Sequence, residues 1–315
     1  MTFALRGLTL ALAWFLVVNI TVSALVAHAA KRSRPTHSAA YWFRLRILPG
    51  GTALLFVAAV FAPSYWRFEP RDTMEGFDVT VVVSAALAGG LLAAAAVRGL
   101  LAWCRAAASA RALIRVARPL PMAGAVVRAY EVDAEPPLMA LAGVLRPRLL
   151  VTRGLMNALS AEELAACVAH EVAHARARDN LKRLAMRVAP DVLSGTTTAR
   201  AMERRWAAAA EHAADDAAGR HGIITRWALA SALVKIARLI PEGPPLTDPI
   251  SPLVGGGEIA SRVRQLLDDR APAPAAGRTG ARVASVGALV TIAALYGPLL
   301  QIVHDATELL VHSLP

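Results

Sequence analysis

Two histidines four residues apart, with a glutamate directly after the first, are the residues of this sequence best placed to do chemistry. They are His170, Glu171 and His174, in the stretch CVAHEVAHARARDN. Residues four apart on a helix project from the same face, so both imidazoles can be directed at one ion. The pattern His-Glu-x-x-His predicts two zinc ligands, His170 and His174, and a catalytic base, Glu171. Zinc makes water acidic enough to attack near pH 7, and the base passes the proton to a leaving amine.

A third zinc ligand must come from elsewhere in the chain. The extended pattern with a glycine and a further histidine is absent, because those positions are Ala177 and Asn180. The best candidate is Glu211 in EHAADDAA, with Asp215 four residues later on the same predicted helix face. Glu211 can complete a His/His/Glu site, and Asp215 can orient a ligand histidine through its far ring nitrogen. His212 is a rival third ligand, and the alternative interpretation is that both carboxylates are simply solvated.

Helices and a small sheet are expected to position these residues. Ser160 and Glu163 form a capping-box pattern, and apolar residues follow at helical spacing, so a helix is predicted through His170 and His174. Cys167 lies on the ligand face and is interpreted as a small buried side chain. A second helix is predicted over ARAMERRWAAAAEHAADDAAGRHG, and a short one over Ile259–Asp269. The stretches AVVRAYEVD and RPRLLVTRGL have β-rich cores and predict a small sheet.

Four apolar windows indicate that the chain crosses a membrane. They are Gly7–Ala30, Ile47–Trp66, Val79–Val97 and Val283–Val303, each free of Lys, Arg, Asp and Glu. A spanning helix needs about 20 apolar residues, which each window supplies or approaches. The second helix is expected to start just after Pro49, Gly50 and Gly51. The first window ends in small residues like a signal peptide, but the basic residues directly after it favour a retained helix.

Arginine and lysine flanking the windows predict an orientation. The loops after the first and third windows are basic, and the loop after the second is rich in Glu and Asp. The positive-inside rule then places both termini outside and residues 98–282 in the cytoplasm. We therefore predict three transmembrane helices in residues 1–97 (about 7–30, 47–66 and 79–97), a zinc metallopeptidase domain in 98–282, and a fourth helix with a short tail in 283–315. Residues 98–118 are expected to form a basic helix along the membrane surface.

The overall composition narrows the classes of function. The chain has 315 residues, a net charge of +11 and a mean hydropathy of +0.46. A basic protein can bind nucleic acid, but no basic groove with interleaved aromatic residues is present, so we expect membrane flanks rather than direct nucleic-acid contact. The two cysteines allow at most one disulfide, so an oxidising compartment is not required.

The motifs together resemble a known family. The stretch LRPRLLVTRGLMNALSAEELAACVAHEVAHARARDNL is similar to the BlaR/MecR-type membrane metallopeptidases, metallopeptidase family 56, over about Pro136–Leu267. The cues include RDN at Arg178–Asn180, the Glu-x-x-x-Asp at Glu211 and Asp215, and SRVRQLL at Ser261–Leu267. The related HtpX-like peptidases of family 48 share the zinc pattern, and RDN favours the first assignment.

The resemblance implies a mainly α-helical protein of four transmembrane helices with a cytoplasmic α+β, gluzincin-like zinc domain. It implies Glu211 as third zinc ligand, Asp215 as the partner of a ligand histidine, and Zn²⁺ as cofactor. It also implies a multi-pass cell-membrane endopeptidase whose polypeptide substrate is a regulatory protein, such as a cytoplasmic transcriptional repressor. The chain ends shortly after the fourth window, so no penicillin-binding sensor domain is expected. Alternatives are a signal transducer that does not cut, an HtpX-like quality-control peptidase, and a basic nucleic-acid binder.

Overall fold

Long helices and a small mixed sheet make up the structure, a computed structural model that describes residues 2–71, 78–121, 127–239, 251–252, 259–268 and 296–309. The helices are α1 (Phe3–Arg32), α2 (Ala39–Phe56), α3 (Ala62–Phe68), α4 (Val79–Val116), α5 (Arg153–Ala158), α6 (Ala161–Ala177), α7 (Asp179–Val188), α8 (Thr197–Gly219), α9 (Ile223–Leu239) and α10 (Ile259–Leu267). The strands are β1 (Arg118–Leu120), β2 (Ala129–Val132), β3 (Met139–Ala142), β4 (Arg148–Thr152) and β5 (Ser251–Pro252). The expectation of a mainly helical chain with a small sheet is confirmed.

Three helical stretches are long and apolar enough to cross a membrane: Phe3–Arg32, Ala39–Phe68 and Val79–Val116. They contain the first three predicted windows, and each extends beyond its window. The second begins at Ala39, with Ser38 as its cap, so Pro49 lies inside the helix rather than before it. The expected start after Gly51 is therefore wrong. Of the fourth predicted window, residues 283–295 lie outside the described residues, and residues 296–309 are helical.

The helix α4 continues without a break well past the membrane-spanning length. It has 38 residues, whereas about 20 suffice to cross the hydrocarbon core. The separate surface helix expected for residues 98–118 is thus the second half of α4, followed directly by β1. Gly99 lets α7 approach closely, since an added Cβ would lie 2.5 Å from Val188. The predicted domain boundary at residue 98 falls inside this continuous helix.

A proline explains the irregular turn in the second membrane helix. Residues Val57–Phe61 form a π-helical turn between α2 and α3. Pro63 has no N–H to donate to the carbonyl of Ala59, four residues earlier. The hydroxyl of Tyr296 donates to that carbonyl at 2.6 Å. Ser64 likewise donates to the carbonyl of Leu300 at 2.6 Å, so the helical residues 296–309 pack against this stretch.

The sheet has the strand order β1-β2-β4-β3-β5. The strands β2 and β4 are parallel, with Tyr130 opposite Leu150, and the other pairs are antiparallel. The two stretches expected to be β-rich contain β2 and β4. The strand β3 was not predicted, because all four of its residues are buried and it shows no alternation of apolar and polar residues. Leu141 of β3 belongs to the same buried apolar cluster as Cys167 of α6 and Leu233 of α9.

A buried ion pair joins the membrane helices to the segment between α7 and α8. Arg46 of α2 donates to Asp191 at 2.6 Å and to Glu203 of α8 at 2.9 Å, and Arg46 and Asp191 are both buried. Asn19 of α1 donates to the carbonyl of Pro190 at 2.7 Å. The helix α8 therefore makes contacts with the membrane helices near its first turns and continues from there to Glu211.

Candidate metal centre

The helix α6 holds the His-Glu-x-x-His pattern, and its start is built as the capping signals predict. Ser160 accepts from the backbone N–H of Glu163, and Glu163 accepts from the backbone N–H of Ser160 at 2.8 Å. Glu163 also accepts from Ser231 and Lys235 of α9, at 2.7 and 2.8 Å. Reciprocal capping satisfies two amides at the helix start. The cap therefore fixes both where α6 begins and how it lies against α9.

His170, His174 and Glu211 converge, and their ligand atoms all lie within 4.8 Å of one another. The Nε2 atoms of the two histidines are 3.1 Å apart. The Glu211 carboxylate lies 3.5 Å from His170 Nε2 and 3.4 Å from His174 Nε2. All three were proposed as ligands from the sequence, and the structure brings them together. His212, the rival, is not in this group.

A carboxylate behind each histidine sets the direction in which the ring presents its lone pair. His170 Nδ1 lies 2.9 Å from Asp215, and His174 Nδ1 lies 2.7 Å from Asp179. Because an ionised carboxylate only accepts, each neutral ring keeps its proton on Nδ1 and offers the Nε2 lone pair. Both lone pairs then face the space beside Glu211, which is the arrangement that a cation requires.

The distances between the ligand atoms fit zinc. A tetrahedral site with bonds of about 2.0–2.1 Å places neighbouring ligand atoms about 3.3 Å apart. The three observed separations, 3.1, 3.4 and 3.5 Å, lie close to that value. The donor set of two imidazoles and one carboxylate is one that zinc favours in catalytic sites. His170, His174 and Glu211 could therefore hold a zinc ion.

Glu171 is buried beside the histidines, and neither of its carboxylate oxygens has a hydrogen-bond partner among the described residues. Burial raises the pKa of Glu171 to about 7. A buried carboxylate without partners is costly, so such a group calls for a functional explanation. A pKa near neutrality suits a group that both takes up and releases a proton.

The charges of the centre are coupled to one another. Burial lowers the pKa of His174, but hydrogen bonds to Asp179 and Glu211 outweigh it and raise the pKa to about 10. Burial would raise the pKa of Glu211, yet the hydrogen bonds from His170 and His174 hold it well below its usual range. In the absence of a metal, protons are drawn to the imidazoles and the carboxylate stays ionised. A cation at this place must therefore displace protons from the histidines.

Arg262 of α10 is a residue of the centre that the sequence patterns did not predict. Its guanidinium binds both oxygens of Asp215 at 2.8 Å, and Nη1 lies 3.1 Å from Glu211 Oε2. Arg262 is 3% exposed, so these contacts are shielded from water. A bidentate arginine fixes a carboxylate in orientation as well as in charge. Arg262 therefore positions both Asp215 and Glu211, although no local sequence signal connects residues so far apart.

Asp179 is a further buried residue of the centre. It contacts His174 at 2.7 Å and pairs with Lys182 at 2.9 Å. The chain turns at Arg178, which has the left-handed φ of 56°, and the reversal brings Asp179 back to the histidine. Asn180 then donates to the carbonyls of Leu141 and Gly143 at 3.1 and 2.9 Å. The segment after the second histidine thus orients that ligand and ties it to β3.

Comparison with protein families now adds to this geometry. Residues 105–240 match the model of peptidase family M48. No curated protein matches the chain. The match supports a membrane-type metallopeptidase, and peptidases of this family are generally zinc-dependent. It gives no support to family 56 in particular, and it agrees with the resemblance that the sequence offered as second choice. Together with three helices that could span a membrane, it supports membrane localisation.

Asp179→Asn is expected to weaken zinc binding about 10- to 100-fold, since outer partners of ligand histidines typically contribute that much. An amide can donate to Nδ1 and so favours the wrong tautomer of His174. The measurement is competition for zinc against a chelating dye. Lys182→Gln is the matched control, because it removes the other partner of Asp179 and leaves the contact with His174 in place. Equal affinity in the Asp179 variant and the control would contradict the positioning role.

Proposed function

We propose that this protein is a zinc-dependent integral-membrane endopeptidase. One observation carries the proposal: two imidazoles and a carboxylate converge within 4.8 Å, beside a buried glutamate whose oxygens have no partner among the described residues. Structural zinc sites have four protein ligands, whereas three protein ligands leave one position for chemistry. The match of residues 105–240 to peptidase family M48 supports the same class of reaction.

Each residue of the centre has a role in this proposal. His170, His174 and Glu211 hold the zinc ion, and Asp215 and Asp179 orient the two histidines. Zinc, when bound, supplies Lewis-acid chemistry that polarises a peptide carbonyl and makes water acidic enough to attack near pH 7. Glu171 takes the proton from the attacking water and gives it to the leaving amine. Breaking the C–N bond then releases a carboxyl and an amine terminus.

The polypeptide substrate is proposed to bind as an extended strand beside β3. The carbonyl of Leu138 accepts from the N–H of Thr152, so the backbone of Leu138 faces β4. The N–H and C=O groups of successive strand residues point to opposite sides, so those of Met139 and Leu141 point away from β4. This outer edge lies next to Asn180, and so close to the ligand His174. The strand β5 pairs with Ala140 and Leu141 there, so a substrate must add beside that short pairing or displace it.

The family resemblances indicate only the broad class of the substrate. A cytoplasmic regulatory protein, such as a transcriptional repressor, is the proposal that the BlaR/MecR resemblance suggests. A quality-control role of the HtpX type is compatible with the match to family M48. The match carries no support for signalling, so we keep the proposal at the level of an endopeptidase acting on protein.

Removal of zinc tests the reaction directly. Purified protein in detergent is expected to cleave an unfolded protein such as casein at internal bonds, and 1,10-phenanthroline is expected to reduce cleavage to background. Added zinc should restore it, because His170, His174 and Glu211 rebind the ion. The non-chelating isomer 1,7-phenanthroline serves as control. Cleavage that persists at zinc contents below one ion per ten chains would refute a zinc peptidase.

A native cysteine can test the proposed cytoplasmic orientation. Cys104 is exposed on α4, beyond the length needed to cross the membrane, and Cys167 is buried. A membrane-impermeant maleimide is expected to label Cys104 in inverted vesicles but not in intact cells. Arg71→Cys in a Cys104→Ser background places a thiol after α3 and should show the opposite pattern. Labelling of Cys104 in intact cells would place the metal centre outside.

A further inference from the structure

A second group of possible metal ligands lies at the other end of the helical bundle. The second membrane helix contacts α8 near Arg46 and ends at Phe68, and Glu69 follows directly. At 1.5 Å per residue, Arg46 and Phe68 are about 33 Å apart along the helix. His304 and Glu308, on the helical residues 296–309, lie beside Glu69. This cluster is thus far from the candidate centre on α6.

The three side chains converge within the same 4.8 Å limit as the ligands of the first centre. One ligand atom each from Glu69, His304 and Glu308 lies within 4.8 Å of the other two. The side chain of Glu69 is 2% exposed, and His304 Nδ1 is 3.9 Å from its Oε2. That distance is too long for a direct hydrogen bond, and it lies within the roughly 4.2 Å that two bonds of about 2.1 Å to one ion can span. Phe68 stacks on the His304 ring at 5.5 Å and holds it in place.

The two clusters are built from the same parts. In each, two ligands stand four residues apart on one helix: His170 and His174 in the first, His304 and Glu308 in the second. In each, the third ligand is a carboxylate from elsewhere in the chain, Glu211 of α8 or Glu69 directly after α3, and a buried arginine holds one of its oxygens. Arg262 lies 3.1 Å from Glu211, and Arg6 lies 3.0 Å from Glu69.

We propose that Glu69, His304 and Glu308 form a second binding site for a divalent transition-metal ion. An imidazole with two carboxylates suits zinc and its first-row neighbours, whereas calcium and magnesium prefer oxygen ligands alone. Arg6 neutralises part of the negative charge at Glu69 Oε1, and Oε2 lies on the side of His304. The bound ion would cross-link residues 296–309 to the end of α3. The proposal is independent of peptidase activity.

Metal stoichiometry tests the second site with zinc alone as the probe. Full-length protein in detergent is dialysed against micromolar free zinc, and zinc per chain is measured by mass spectrometry. The wild type is expected to hold two ions. Glu308→Gln and His304→Ala should each hold one, and Glu211→Ala should also hold one. Glu308→Gln in combination with Glu211→Ala should hold none, because the two losses are independent.

The control for these variants is Asp305→Asn, an exposed position next to His304 that is not among the converging ligands. It should keep two ions. Since every variant with one intact site must still bind one ion, retained binding shows that it has folded. One ion in the wild type, removed by Glu211→Ala and unaffected by Glu308→Gln, would overturn the second site and leave the first intact. Two ions in Glu308→Gln and His304→Ala would overturn it as well.

Discussion

Glu171→Gln is expected to reduce peptide-bond cleavage by about 100- to 10,000-fold while zinc binding stays at the wild-type level. The substitution keeps the size and shape of the side chain but removes the carboxylate that accepts the proton of the attacking water. Glu171 is not among the three converging ligands, so the ion should remain. Its oxygens have no partner among the described residues, so the amide breaks no existing contact. The measurement is the cleavage rate of casein together with zinc per chain.

The matched control is Glu162→Gln, the same chemical change in the exposed first turn of the same helix. It should leave both cleavage and zinc content unchanged. Cleavage by Glu171→Gln at more than about half the wild-type rate would exclude Glu171 as the base. If instead zinc and the biological output of the protein were both retained without cleavage, the protein would be a transducer that does not need proteolysis.

The convergence of the metal centre was accessible from sequence because its main signals are local. Ser160 and Glu163 specify the start of α6, and the spacing of four places His170 and His174 on one face. The same spacing of four predicts that Glu211 and Asp215 share one face of α8. Periodicity and capping depend on neighbouring residues, so a single sequence contains them. Their catalytic and ligand roles remain predictions that the experiments above address.

Other parts of the site depend on contacts between distant residues, which sequence patterns do not encode. Arg262 of α10 contacts Asp215 of α8, and no pattern in the sequence around either residue predicts this contact. Asp179 meets His174 only because the chain reverses at Arg178 in a left-handed conformation that is uncommon for a residue with a side chain. The strand β3 was not predicted because it is buried on both faces, and such a strand does not alternate between apolar and polar residues.

For the membrane helices as well, the sequence predicts some features and not others. Their existence followed from apolar length, and three are confirmed as helices that could span a membrane. Their ends did not follow, because Pro49 is accommodated within a helix and α4 extends far beyond its apolar window. Packing explains both. Gly50 and Gly99 lie against Pro190 and Val188, so tertiary contacts stabilise helical backbone where local propensity predicts a boundary.

Glu211→Ala is expected to remove one zinc ion per chain and to abolish cleavage. Loss of a ligand should weaken binding by more than the roughly 10- to 100-fold typical of an outer partner. The charges add to this effect. Arg262 lies 3.1 Å from Glu211, and loss of that carboxylate removes one of the negative charges that offset the guanidinium beside the cation. Two imidazoles alone then hold the ion against a nearby guanidinium, which is unfavourable in a buried site.

Asp216→Asn provides the control for this variant, because it changes an exposed acid on the same helix that accepts a hydrogen bond from Gln265 and is not among the converging ligands. It should keep both zinc and cleavage. Glu211→Gln separates charge from shape: it fills the same space, so a loss equal to that of Glu211→Ala assigns the effect to the carboxylate. Because Glu211 is the α8 residue that converges with both histidines, wild-type zinc affinity in both variants would leave the His-Glu-x-x-His pair without its third ligand. The peptidase proposal would then fail at its first step.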